Sequence, residues 1–225
     1  MPKGLTGNHL KLMAMVTMTV DHAGMLLFPQ SLWLRIVGRL AFPIYAYMIA
    51  EGCRYTRSMP KYLGSVALMA LLCQAVSFLV AGSLYQCTLV TFSMSIGLIL
   101  LLQNTQKIKK PVGWLLFGTA LAAVWFLTEI LPGLLPDTDY AVDYGFLGVM
   151  LPVAVWLMPT KLWQLLAASG VLLLMGVFNP MQLYALGSMV LLALYNGQRG
   201  THNIKQLFYW YYPAHLGILY LIDML

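Results

Sequence analysis

Residues 8–28 read NHLKLMAMVTMTVDHAGMLLF, and this stretch decides the fold. At 1.5 Å per residue it makes a helix about 30 Å long, the thickness of a bilayer's hydrocarbon layer. It is too long for the apolar part of a cleaved signal, and it carries Asp21 and His22, so it reads as a membrane span. A three-residue break, Pro29-Gln30-Ser31, separates it from a second apolar run, LWLRIVGRLAFPIYAYMIA, residues 32–50. So short a break makes the two helices antiparallel neighbours.

The rest of the chain repeats this pattern. Hydrophobic residues make up 60% of the 225 and charged residues 9%, against about 25% charged in a soluble domain. That excludes a soluble globular domain, a secreted disulfide scaffold and a disordered chain. Further apolar runs fall at 62–80, 88–103, 112–131, 144–158, 162–178, 181–195 and 207–225, giving about nine spans in all. The runs are continuous rather than alternating, which favours helices over a barrel. No linker or internal repeat divides the sequence. The expected fold is an all-α polytopic membrane helical bundle, a single domain over residues 1–225.

Charge placement sets an orientation. With the amino terminus cytoplasmic, the inner segments hold Lys3, Lys11, Arg54, Arg57, Lys61, Lys107, Lys109, Lys110, Lys161, Arg199 and Lys205. The outer loops hold no basic residue, and one carries Asp137, Asp139 and Asp143. Basic residues are retained on the cytoplasmic side, so the amino terminus is expected inside and the carboxyl terminus outside. The same rule accounts for the net charge of +6 without nucleic acid as a partner. Cys53, Cys73 and Cys87 lie in different segments with no metal-ligand spacing. No metal is expected.

A charge at the bilayer centre costs at least about 2.5–3.5 kcal/mol, so each intramembrane ionisable residue asks for a reason. Asp21, His22, Arg35 and Arg39 should meet in the outer half of the first hairpin. Arg35 and Arg39 are four apart on one helix face. Adjacent helical residues diverge by about 100°, so Asp21 is expected to pair with an arginine and His22 to face a cavity. One carboxylate cannot neutralise two guanidiniums, and a substrate or developing oxyanion would supply the second anion. Counting rises places His215 near the midplane, about 15 Å from the inner boundary, with Tyr211 and Tyr212 beside it. Pro213 is expected to kink that span. At the inner end of the second span, Glu51, Arg54, Tyr55, Arg57 and Lys61 form a basic mouth suited to a polyanion. The structural alternatives are a plain Asp–Arg pair, a surface ion pair at Glu51, an aromatic belt at 208–210, and an interfacial carboxylate at Glu129.

At these residues the chain resembles the TraX family of integral membrane acetyltransferases. The pieces are Asp21-His22; Arg35-x-x-Gly38-Arg39-x-x-x-Pro43; Glu51-Gly52-x-x-Tyr55-Thr56-Arg57 with Lys61-Tyr62; Val142-Asp143-Tyr144-Gly145; and Phe208-Tyr209-x-Tyr211-Tyr212-Pro213-Ala214-His215-Leu216. They span nearly the whole chain. The resemblance implies acetyl transfer from acetyl-CoA to a pilin amino terminus or another peptide, glycan or small-molecule acceptor, at the inner membrane of a bacterium. Catalytic roles then fall on His22, Asp21, Arg39, Arg35 and His215. Donor contacts fall on Arg54, Arg57, Lys61, Tyr55, Glu51, Lys205, Tyr211 and Tyr212. The expected partners are membrane lipid, acyl-CoA and the acceptor, with no nucleic acid. The competing readings are a transporter or channel with a buried charged pathway, and a non-catalytic membrane assembly subunit.

Overall fold

A computed structural model describes residues 4–108, 111–201 and 205–223. Lys3, Lys109 and Lys110 lie outside the described residues, as do the side chains of Lys205, Phe208, Tyr209, Tyr212 and Pro213. The described residues form eleven α-helices and no named strand: α1 Gly7–Leu26, α2 Leu32–Gly38, α3 Ala41–Tyr55, α4 Met59–Ala81, α5 Thr88–Ile108, α6 Pro111–Trp125, α7 Leu131–Leu134, α8 Gly145–Leu157, α9 Lys161–Phe178, α10 Ser188–Ala193 and α11 Lys205–Asp223. A π-helical segment, Phe126–Ile130, joins α6 to α7, and a 3₁₀ segment, Pro180–Gly187, precedes α10.

Prolines explain two departures from regular spans. The second span is broken between α2 and α3 at Arg39 and Leu40. Pro43 has no N–H for the Arg39 carbonyl, so the helical ladder fails there. In the fifth span, Pro132 cannot donate to the Thr128 carbonyl. The chain widens by one residue per turn, and the Leu131 N–H bonds Phe126 O instead. The fourth span is longer than the sequence suggests, because α5 continues to Ile108 through polar residues 103–107. α11 continues through position 213.

The chain packs as two compact units, residues 1–48 with 160–225, and residues 49–159. In the first unit α1 packs on α2 and on α11, and α9 packs on the 3₁₀ segment and α10. Leu10, Ala14, Phe42, Ile44, Leu172 and Leu192 form its core. In the second unit α5 packs on α4, α6 and α8, around Phe92, Ile96, Ile99, Val149, Leu151 and Val153.

Five helical stretches are long and apolar enough to cross a membrane: Leu32–Tyr55, Met59–Ala81, Thr88–Lys107, Pro111–Leu134 and Lys161–Phe178. Two more, Gly145–Leu157 and Pro180–Ala193, are apolar but shorter. Large aliphatic side chains on these helices stand fully outward, Leu79 at 81% exposure and Val177 at 77%. Water does not tolerate so much contiguous apolar surface, and lipid explains it.

Candidate functional site

The first unit gathers the ionisable residues of the first hairpin. Asp21 leaves α1 toward α2, where Gly38 stands. A methyl group on Gly38 would lie 2.2 Å from Asp21 Cβ, so only glycine lets the carboxylate through. Gly24 does the same one turn on: its missing side chain admits Leu34 and the Arg35 stem against α1.

Asp21 then faces both arginines. Arg39 Nη2 donates to Asp21 Oδ1 and Oδ2, each at 2.8 Å. Arg35 Nη1 lies 3.1 Å from Oδ2 and donates to the Asp21 backbone carbonyl at 3.2 Å. Arg39 is the more buried guanidinium, its side chain 9% exposed against 29% for Arg35. One carboxylate thus serves two cations, as the sequence implied, and the excess positive charge rests on Arg35. The Nε and Nη2 atoms of Arg35 have no hydrogen-bond partner among the described residues.

His22 points elsewhere, toward α11. Its Nδ1 lies 2.9 Å from Nε2 of His215, and His215 Nδ1 lies 2.9 Å from the Tyr211 carbonyl. A carbonyl only accepts, so His215 Nδ1 carries a proton. With that ring neutral, its Nε2 accepts, and the hydrogen between the rings belongs to His22 Nδ1. His22 Nε2 is left with its lone pair. That atom has no hydrogen-bond partner among the described residues.

Tyr211 holds His215 in two ways. Its carbonyl takes the Nδ1 proton, and its ring stacks on the imidazole at 5.2 Å between centroids and 11° between planes. The Tyr211 hydroxyl bonds Thr19 of α1. Thr19 and Tyr211 also share the Met15 carbonyl as an acceptor, at 3.1 and 3.5 Å. Thr19, Gly24 and the Tyr211 carbonyl were missed by sequence reasoning, and Gly38 was noticed only as part of a motif.

The inner-mouth residues belong to the second unit. Arg54 Nη2 donates to the carbonyls of Val155, Trp156 and Met158 at 2.7–2.9 Å, and Nη1 to Glu51 at 3.3 Å. These carbonyls belong to the last turn and cap of α8, and a cation there suits the helix dipole. At the other end, Glu129 Oε1 accepts the Phe146 N–H at 2.7 Å. Gly52 is required because a methyl group there would lie 2.5 Å from the Tyr62 hydroxyl. Tyr55, Arg57 and Lys61 are exposed. Outside the helices, Asp139 accepts from Ser83 Oγ and the Leu84 N–H, and Asp143 accepts from Tyr85 and Thr88. The Asp139 hydrogen bonds hold its carboxyl below the usual carboxylate range.

Fold and site together define a polytopic helical membrane protein with a buried Asp–Arg–Arg cluster beside a histidine pair. A family profile described as "TraX protein" matches residues 6–223, and the chain belongs to that family. It is 26% identical to the probable fimbrial assembly protein FimC, serogroup H1, of Dichelobacter nodosus, over 93% of this chain and 92% of the relative. A 38-residue stretch is 42% identical to the Rickettsia prowazekii (strain Madrid E) protein RP591, covering 17% of this chain and 15% of that one. No solved structure matches.

Proposed function

We propose that this protein is a membrane-embedded acyltransferase that moves an acetyl group from cytoplasmic acetyl-CoA to an amine or hydroxyl presented at the outer side of a bacterial inner membrane. Family membership and likeness to a fimbrial assembly protein support a pilus-linked role. The observation that carries the chemistry is the His22–His215–Tyr211 chain, which fixes the His22 tautomer and leaves Nε2 able to take a proton. An orienting partner on the opposite ring nitrogen is what a general base needs.

In this reading His22 Nε2 accepts the proton of the acceptor as its nitrogen or oxygen attacks the thioester carbonyl. The oxyanion of the tetrahedral intermediate develops next to the excess positive charge of Arg35 and Arg39. On collapse the carbon–sulfur bond breaks and His22 returns its proton to the departing thiolate. The products are coenzyme A and the acetylated acceptor. Donor phosphates are assigned to the basic residues at the end of α3 and start of α4. Arg54 already holds α8, which makes the exposed Arg57 and Lys61 the stronger contacts. Glu51, Tyr55, Lys205, Tyr211 and Tyr212 complete the proposed donor contacts.

The nine-span topology is part of the proposal. α1 and α11 run parallel, since Thr19 meets Tyr211 and His22 meets His215. Parallel spans are separated by an odd number of crossings. The five long and two short apolar stretches between them number seven, and the basic residues then fall inside.

The test is transfer of labelled acetyl from acetyl-CoA in membranes carrying the protein. His22→Ala should lower it by about 10²–10⁴-fold with the protein still inserted. Unchanged transfer would remove His22 from the mechanism.

A further inference from the structure

The Arg35 side chain has a feature that acyl transfer does not require at rest. A guanidinium has two ways of meeting an oxyanion side by side, and the edge made by Nε and Nη2 is one of them. Arg35 gives Asp21 only Nη1. Its Nε and Nη2 have no partner among the described residues, and neither is sealed from its surroundings. The stem is fixed in place. It crosses Gly24, where its Cδ would lie 3.5 Å from an added methyl group, and Nη1 is pinned at two points on Asp21. The edge is therefore preorganised, on a side chain that is 29% exposed and one turn below the 27–31 break where the chain meets solvent.

Charge points the same way. Among the described residues Asp21 is the one carboxylate within ion-pair distance of Arg35, and it is shared with Arg39, so Arg35 is incompletely neutralised. An uncompensated cation in a low-dielectric site is costly, and a small oxyanion removes that cost.

We infer that the Nε/Nη2 edge of Arg35 is a binding subsite for a carboxylate or phosphate group in the resting protein. The inference rests on the acyltransferase reading for its consequence, which is inhibition. An anion on that edge neutralises the charge meant for the tetrahedral intermediate, so carboxylates and phosphates compete with acyl transfer. The oxyanion has two sources: a soluble ion on the outer side, or the headgroup of an acidic lipid reaching down from the adjacent leaflet.

The test uses the purified full-length protein in nanodiscs of phosphatidylcholine. Inorganic phosphate or acetate replaces chloride at constant ionic strength, while the unfolding midpoint and coenzyme A release are followed. Phosphate should raise the midpoint saturably, by about 3 °C or more, and inhibit coenzyme A release over the same concentrations. Arg35→Lys keeps the charge beside Asp21 but lacks the planar edge, and should weaken both effects at least about tenfold. Arg57→Gln and Lys61→Gln should leave the stabilisation intact. Discs containing phosphatidylglycerol separate the sources. A lipid ligand stabilises without phosphate and abolishes the response to it, whereas a soluble ligand responds equally in both discs.

No stabilisation by either anion or by acidic lipid overturns the subsite. So does a response unchanged in Arg35→Lys, or one lost in Arg57→Gln. His22→Ala should stay stabilised by phosphate. If the parent protein releases no coenzyme A from acetyl-CoA while phosphate still stabilises it, the acyltransferase reading fails and the subsite stands.

Discussion

Asp21 and His22 are neighbours in sequence and part company in space. The hundred-degree step between adjacent helical residues sends one carboxylate to α2 and one imidazole to α11. Gly38 makes the first of these turns feasible. Gly38→Ala would set a methyl group 2.2 Å from Asp21 Cβ and should destabilise the protein by about 1–3 kcal/mol. Thermal unfolding in nanodiscs measures this, and a midpoint equal to the parent's would show that α1 and α2 do not pack so closely. Thr19→Val tests the support behind His215. Losing the Tyr211 anchor should lower acetyl transfer several-fold and, with Tyr211 among the proposed donor contacts, raise the acetyl-CoA KM; transfer and KM both equal to the parent's would show that the hydroxyl contact supports neither role. The Asp–Arg pairing was legible in the sequence because a three-residue break forces α2 to lie beside α1. The histidine pair was not. Rise counting set His22 in the outer half and His215 near the midplane, yet their ring nitrogens are 2.9 Å apart. Counting from presumed span ends carries an error of a turn, and α11 has no short connection to announce its partner.

At the scale of elements, α8 is held by charge at both ends. It is short, largely buried and interrupted by Pro152, so its own ladder is weak. Glu129 meets its amino end and Arg54 its carboxyl end, each in the sense the helix dipole favours. Glu129→Gln keeps an oxygen acceptor and should cost little, whereas Glu129→Ala should lose about 1 kcal/mol. Hydrogen exchange at the Phe146 amide reads the difference directly. The loops 83–88 and 139–143 make a polar clasp through Asp139 and Asp143. Because the Asp139 carboxyl is lowered in the folded chain, its contribution is present above the ordinary carboxylate pKa and disappears as pH falls through the lowered value. Exchange of the Leu84 amide should accelerate only in that acid range, and pH-independent protection would show that Asp139 does not hold the loop. The sequence could not reveal the Arg54 contacts, since the carbonyls it binds belong to Val155, Trp156 and Met158, whose side chains give no sign of them. The broken second span was visible in principle: Pro43 stands four residues after the carbonyl it leaves unbonded.

On the scale of the whole molecule, composition alone dictated an all-helical membrane protein, because 9% charged residues cannot cover a water-facing surface of this size. Short elements were harder to read. Gly145–Leu157 and Pro180–Ala193 sit below the length of an ordinary span, and hydropathy cannot say whether they cross. In the proposed nine-span topology, the parallel run of α1 and α11 requires an odd number of crossings among the seven stretches between them. Reporter fusions at residue 159 and after residue 223 should report the cytoplasm and the outer side respectively. The same side for both would refute nine crossings.

The two imidazoles of the site lie 193 residues apart along the chain. At about 5–20 residues per second, a ribosome needs roughly 10–40 s to deliver the second after the first. Throughout that interval α1 must wait in the bilayer with its histidine partner unsynthesised. On the proposed mechanism the site is incomplete until α11 is made, and a nascent chain stalled before α11 should carry no acetyl-transfer activity.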